Sequence, residues 1–271
     1  MYQKAIVTFI DILGFGDFVK QSDADSINSA LDAFEKSTSP LILDEEAEKD
    51  DHAEVISFSD SIVRIRKIET RENQKYPMGL LFQELISLVH AQGELIDFDI
   101  IIRGGVSVGD IYMSGGRVFG PGLIQAYELE SKYALYPRII IDPQLIQEHK
   151  TNKLLKAKWH SVEDELEILG RLLRQGDDGM WFIDYVAALE GELDEHEMYP
   201  IFLRRHREVI LAGVQNHSQL NSILSKFVWM ANYHNQIISN LDDDACASYD
   251  LDKEDFIITS KEIPALQYLR P

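Results

Sequence analysis

From Ala5 to Phe15 the chain is almost wholly hydrophobic, yet that run contains a carboxylate, Asp11. Residues 4–12 alternate too little for a half-exposed strand and read as a buried one. A charge in such a strand is costly unless something pairs with it. The stretch Ile56-Ser57-Phe58-Ser59-Asp60-Ser61 repeats the arrangement: Asp60 ends one strand pattern, and Ile62-Val63-Arg64-Ile65 begins another. Any fold of this chain has to satisfy both acids. Two aspartates on neighbouring strands could share divalent cations, which favour oxygen ligands. The other reading of Asp11 is a buried carboxylate paired with an arginine. Gly14 and Gly16, just after Asp11, let backbone N–H groups approach phosphate.

The length of 271 residues allows one large domain, or one domain with a substantial appendage. A net charge of −20 argues against nucleic acid and against an anionic membrane surface. A nucleotide carrying metal ions stays open, because cations mask local repulsion. Cys246 is the only cysteine, so no intrachain disulfide and no thiol cluster can form. No stretch approaches a membrane span. The N-terminus starts in a strand pattern without a charged leader, so no signal peptide is expected and the predicted location is cytoplasmic.

The pattern along the chain predicts an alternation of strands and helices. Leu13-Gly14-Phe15-Gly16 breaks the first strand. Asp23 and Ser26 offer helix-capping chemistry before Ile27, Ala30, Leu31 and Phe34, which follow the helical period. Residues 44–54 are dominated by acid; they read as a solvated loop, with metal binding the other reading. Residues 54–60 and 62–68 predict a hairpin around Asp60-Ser61. A second helix is expected from Pro77 to Gly93, and a strand from Asp97 to Gly109. Ser114-Gly115-Gly116 reads as a turn, and Pro121-Gly122 opens a third helix through Ala126, Leu129 and Tyr133. Arg138–Asp142 is a further buried strand, followed by a short helix from Pro143.

This order predicts an α+β sheet with helices on one face, close to a ferredoxin-like arrangement. Residues 1–150 are expected to form the core. Residues 151–271 are expected to form an extension packed on it, with one strand at 180–186, a long helical pattern from 199 to 241 and an acidic tail. Phe227, Met230, His234, Ile237 and Leu241 share one helical face. His234 on that face reads as a packed histidine.

Four segments carry a resemblance to the class III nucleotidyl cyclases over residues 4–142. They are Asp11-Ile12-Leu13-Gly14-Phe15, Ser59-Asp60-Ser61, Arg103-Gly104-Gly105-Val106-Ser107-Val108-Gly109, and a helix with Gly120, Ala126 and Leu129-Glu130-Ser131. Four positions depart from the purine cyclases. Ile56 stands where those read the base with Lys or Glu, and Arg117 where they use Asp or Cys. The ribose asparagine falls on Ile124 and the transition-state arginine on Glu128. The chain is instead similar to the bacterial pyrimidine cyclases of the Pycsar anti-phage systems. That likeness extends to residues 120–130, 178–185 and 226–235, hence over most of the chain.

The resemblance implies a homodimer that makes cyclic UMP or cyclic CMP from a pyrimidine nucleoside triphosphate, as a signal to a separate effector in antiviral defence. It implies two divalent cations, Mn²⁺ or Mg²⁺, held by Asp11, Asp60 and the Ile12 carbonyl. Leu13, Gly14 and Phe15 would face the phosphates. Ile56 and Phe58 would wall the base, although Phe58 also reads as core. Tyr127 would lie near the ribose, with helix packing as the alternative. Arg103 and Arg64 are candidates for the missing arginine, with an ion pair as the other reading of each. Arg117 has donors only, which suits the O2 and O4 acceptors of uracil better than the amino edge of cytosine; a phosphate grip or a solvent position are its alternatives.

Overall fold

The computed structural model describes residues 1–39, 53–75, 77, 79–193, 195, 197–217 and 221–268. The acidic run from residue 44 lies outside them except for its last two residues. The chain divides into two compact units, one of Met1–Leu95 with Ile100–Tyr185, the other of Ile96–Asp99 with Val186–Pro271.

The first unit is built on one open, mostly antiparallel sheet. β1 (Gln3–Ile12) lies between β3 (Ser61–Lys67) and β4 (Ile102–Ser114), and β2 (Glu54–Phe58) flanks β3. β4 pairs in parallel with β6 (Ile139–Ile141), and β8 (Trp181–Ile183) and β7 (Leu173–Gln175) complete the other edge. β5 (Arg117–Phe119) pairs only with the far end of β4. The expected α+β sheet is therefore present, and it runs on to Ile183 rather than stopping near residue 150.

Helices connect these strands. α1 (Phe15–Gln21) and α2 (Ala24–Thr38) follow β1, and the Asp23 carboxylate caps α2 by accepting from the Ser26 N–H at 2.8 Å. α3 (Arg71–Lys75) and α4 (Leu80–Asp97) lie between β3 and β4. The helix expected to end at Gly93 runs on through it. Leu95 and Ile96 beyond it are buried, and that burial outweighs the roughly 1 kcal/mol that glycine costs inside a helix. The next strand accordingly starts at Ile102, not Asp97, with Asp99 at φ 59 in the turn. α5 (Pro121–Glu128) continues into a π-helical turn at Leu129–Tyr133. α6 (Pro143–Thr151) and α7 (Val162–Leu172) precede the β7–β8 hairpin.

Alternation along β1 and β3 divides the side chains between two faces. On one face Thr8, Arg64 and Arg66 meet Glu84, so α4 covers it. On the other, Ala5, Val7 and Ile65 pack with Ala126 of α5, while Phe9, Ile56 and Val63 are only half-buried beside them, so helices lie against both faces of the sheet and not on the one face expected. α5 can lie close to the sheet because Gly109 faces Gly122: a Cβ on Gly109 would come 2.8 Å from the Gly122 Cα.

The second unit contains α8 (Tyr185–Ala188), α9 (Met198–Asn216), α10 (Asn221–Asn240), α11 (Asp243–Ser248) and α12 (Lys253–Phe256). The long helical pattern is thus two helices. The five residues predicted to share a face are all buried. His234 is packed, with its Nδ1 3.0 Å from the Nδ1 of His206 and its Nε2 3.1 Å from the Phe256 carbonyl. Among the described residues no helix is long and apolar enough to cross a membrane.

Candidate functional site

Asp11 sits in the last turn of the β1 pleat, opposite Ser61 on one side and Arg103 on the other. The β2–β3 hairpin closes through two residues, Ser59 and Asp60, between the paired Phe58 and Ser61. Ser59 takes φ 54, the positive value that tight hairpin turns demand. The turn is fixed to β1: the Ile12 N–H donates to the Asp60 carbonyl at 3.0 Å, and Ser61 Oγ donates to Asp11 Oδ1 at 3.1 Å. These two bonds bring Asp60 beside Asp11.

The electrostatics agree with that closeness. Burial pushes the Asp11 carboxyl up, Arg103 pulls it down, the charge on Asp60 pushes it up again, and the Ser61 hydrogen bond pulls it down; the net shift is upward. Asp11 therefore carries an incompletely compensated negative charge in a half-buried place. Arg103 also holds it: Arg103 Nη2 lies 3.3 Å from Asp11 Oδ2 and 2.6 Å from Glu130 Oε1, and Nη1 donates to the Ala134 carbonyl at 3.4 Å. The arginine pairing foreseen as the alternative for Asp11 is thus present alongside the neighbouring acid.

Past Asp11, the Leu13 N–H is taken by the Ile101 carbonyl at 2.8 Å. Gly14 then turns the chain at φ 78, and its carbonyl accepts from the Asp17 and Phe18 amides as α1 starts. The first amides of a helix have no intrahelical acceptor, so Phe15 and Gly16, not Leu13, offer N–H groups here. The Phe15 side chain itself is buried. Asp17 in that turn is held by Lys20 at 2.9 Å.

The same sheet face carries Ile56 and Phe58, which pair with Val63 and Ser61. Phe58 is 79% exposed, so it is not core; Ile56 is half-buried against the apolar cluster. Tyr127 is exposed and its ring meets Phe9 edge-on at 5.3 Å. Arg117 is exposed but pairs with Ser114 at the opposite end of β4 from Arg103. At about 3.3 Å per residue, the two points are roughly 36 Å apart along the strand. Within one chain Arg117 does not join the acids.

Arg64 does not join them either. It is 1% exposed on the α4 face, donating to Glu84 Oε2 and Ser87 Oγ at 3.0 Å and to the Thr38 carbonyl at 3.1 Å. Its structural ion pair follows from strand alternation: Asp11 and Ser61 face one way, Arg64 the other.

Sequence reasoning missed two contributors. Ser61 was read only as a turn residue. Glu130 has no role in the sequence reading of Leu129-Glu130-Ser131, yet it is buried against Arg103. The π-helical turn is what carries it there. Gly105 admits that turn, because a Cβ on Gly105 would come 2.5 Å from both the Ala126 carbonyl and Leu129 Cβ and 3.1 Å from the Glu130 nitrogen. A glycine facing the middle of a helix that holds an acid was the available signal.

Among the described residues no group of three or more His, Cys, Asp or Glu side chains is placed to hold a metal ion. Asp11 and Asp60 are two oxygen donors, and Mg²⁺ typically binds through one or two carboxylates with phosphate and water oxygens completing the shell. The incompletely compensated charge on Asp11 fits a cation at this end of the sheet.

No family model matches the chain, and no curated protein matches it. Solved structures do. A bacterial light-regulated adenylyl cyclase is 11% identical, covers 77% of this chain and 99% of its own, and gives a TM-score of 0.40. The guanylyl cyclase Cya2 is 13% identical over 68% of this chain and 93% of its own, at 0.39. A class III adenylyl cyclase-like ATP-binding protein from Pseudomonas aeruginosa is 12% identical over 62% and 40%, at 0.39. Likeness at this level says nothing about the substrate or activity of this chain.

Proposed function

We propose that this chain is a pyrimidine nucleotide cyclase that converts UTP to cyclic UMP and pyrophosphate. The observation that carries the proposal is the adjacency of Asp11 and Asp60, held by the Ile12–Asp60 and Ser61–Asp11 hydrogen bonds. The ribose 3′-oxygen bonds to the α-phosphorus as the bond from that phosphorus to pyrophosphate breaks. Such chemistry needs positioning and charge stabilisation rather than covalent help from the protein. Asp11, Asp60 and the Ile12 carbonyl would hold two divalent cations, Mn²⁺ or Mg²⁺, which when bound stabilise the attacking and leaving oxygens. Amides at the start of α1 bind phosphate oxygens. Arg103 supplies positive charge at the same end, and Tyr127 and Phe58 border the ribose and base.

The resemblance places base reading on a second copy, in a head-to-tail homodimer. The roughly 36 Å along β4 between the Arg117 and Asp11 positions within one chain supports that arrangement. Arg117, a donor-only side chain, favours uracil over cytosine. A role in antiviral defence through a cyclic-nucleotide-activated effector rests on the resemblance alone. A second reading, an inactive nucleotide-binding module, is favoured by the Arg103–Asp11 ion pair, which occupies a carboxylate needed for metal.

Incubation with each of the four nucleoside triphosphates and Mn²⁺, followed by mass spectrometry, tests the proposal. Cyclic UMP is expected, and Asp60→Ala must abolish it while leaving the fold intact. Cyclic CMP as main product would move the substrate to CTP, and no cyclic product with any nucleotide would leave the inactive module. Unchanged UTP preference in Arg117→Ala would remove Arg117 as the base reader.

A further inference from the structure

Arg103 stands between two carboxylates that hold it unequally. The contact with Glu130 is short, 2.6 Å, and the Glu130 side chain is 4% exposed. The contact with Asp11 is longer, 3.3 Å, and is the one of the two that forms a hydrogen bond, from Arg103 Nη2 to Asp11 Oδ2, while the Glu130 contact is an ion pair only; the Asp11 side chain is 19% exposed. A short pair away from water resists competition; a long pair in contact with water is exchanged at little cost. The shorter contact is built by the backbone. The π-helical turn Leu129–Tyr133 carries Glu130, and it lies close over Gly105, where a Cβ would come 2.5 Å from Leu129 Cβ and 3.1 Å from the Glu130 nitrogen. The Ala134 carbonyl, just past that turn, accepts from the other terminal nitrogen of Arg103. One segment thus anchors the guanidinium twice.

We propose that Glu130 is a positioning residue that keeps Arg103 from closing fully on Asp11, so that a divalent cation at Asp11 competes with only the weaker of two ion pairs. Arg103 then stays tethered near the site as a fixed positive charge after Asp11 has exchanged partners. This deepens the metal-dependent reading above and rests on it. Without Glu130, Arg103 has one carboxylate left to satisfy it, and that carboxylate is Asp11. Pairing and metal binding then compete directly. Arg103 Nε has no hydrogen-bond partner among the described residues.

The test is Mn²⁺ affinity without nucleotide, measured by electron paramagnetic resonance on the full chain, for wild type, Glu130→Gln, Arg103→Gln and the double variant. A partly exposed ion pair is worth up to about 1 kcal/mol, a factor of about five in affinity. Glu130→Gln is expected to weaken Mn²⁺ binding by up to about fivefold, and Arg103→Gln to tighten it by a similar factor. The double variant should bind like Arg103→Gln alone, because Glu130 acts only through Arg103. A purely structural Glu130 predicts equal Mn²⁺ affinity in wild type and folded Glu130→Gln, and that result would overturn the proposal. If Glu130→Gln does not fold, the comparison falls on the other two variants. They must match each other and exceed wild type, and a difference between them refutes the inference. Wild type and Arg103→Gln both failing to bind Mn²⁺ would instead sink the metal-dependent reading itself, and this inference with it.

Discussion

Glu84 offers the sharpest quantitative test of how the site is held in place. Its carboxylate accepts from Arg64 at 3.0 Å, Arg66 at 3.2 Å and Thr8 at 2.7 Å. It is 1% exposed, and so is Arg64. Burial alone would push the Glu84 carboxyl up, but Arg64 and Arg66 together outweigh it and hold the group below its ordinary range. The cluster fastens β1 and β3 to α4, and β3 begins at Ser61 beside the Asp60 turn. Glu84→Gln keeps the shape and removes the charge, leaving two guanidinium groups without a counter-ion in a place water does not reach. Removing one partner of a buried pair costs about 3–5 kcal/mol. In a chain of this size each kcal/mol lowers the melting temperature by about 2–4 °C, so a drop of roughly 10 °C is expected. Thr8→Val removes one hydrogen bond to a charged acceptor and should cost less, about 1.5–3 kcal/mol. Urea unfolding followed by circular dichroism measures both. The sign with pH is fixed by the lowered carboxyl: its contribution is complete above the unfolded value near 4.5 and is lost as pH falls through the folded one. Glu84→Gln should flatten that acid limb. A Glu84→Gln protein within about 1 kcal/mol of wild type at pH 7 would refute the reasoning.

Three further outcomes are expected. Asp11 has a raised carboxyl, so the folded state binds the extra proton; stability of chelator-treated protein should fall as pH rises from about 4 through the folded value, and Asp11→Asn should remove that slope in a melting-temperature series against pH. A slope of the opposite sign would contradict the burial argument. Gly105→Ala sets a methyl 2.5 Å from the Ala126 carbonyl and Leu129 Cβ, so it should cost at least the 1–3 kcal/mol typical of overpacking and lift Glu130 from Arg103; wild-type stability in urea would show that α5 yields freely. In the second unit, burial depresses both His206 and His234, the latter to about 4. Its stability should be complete above pH 6.5 and decline as pH falls towards 4, read from Trp229 fluorescence in a chain carrying Trp159→Phe and Trp181→Phe, and a flat profile between pH 7 and 5 would count against the buried neutral pair.

Much of the sheet was legible because its signals are local. The hydrophobic run around Asp11, the break at Gly14, the hairpin at Ser59-Asp60 and the buried Ile139–Ile141 strand are each decided within a few residues by burial pattern and turn chemistry. Helix ends were less legible. Gly93 is a stop signal by propensity, yet the burial of Leu95 and Ile96 carries α4 past it. Residues 173–175 directly follow α7 and form a strand because β8 offers them an edge.

The candidate site divides along the same line. Residue order alone puts two carboxylates at strand ends and a glycine turn after the first, and makes Arg103, Glu130 and Arg117 available as charges. Which of these meet is settled by the three-dimensional packing. Asp11 and Arg103 are 92 positions apart, and Thr8 and Glu84 are 76 apart. Periodicity cannot rank partners at such separations; strand register and the crossing of α5 do. Register turned Arg64 towards Glu84, and the length of β4 carried Arg117 away from the acids. The missing β-carbon of Gly105 let Glu130 descend onto Arg103, a contact fixed by the approach of two backbones, which no local pattern encodes.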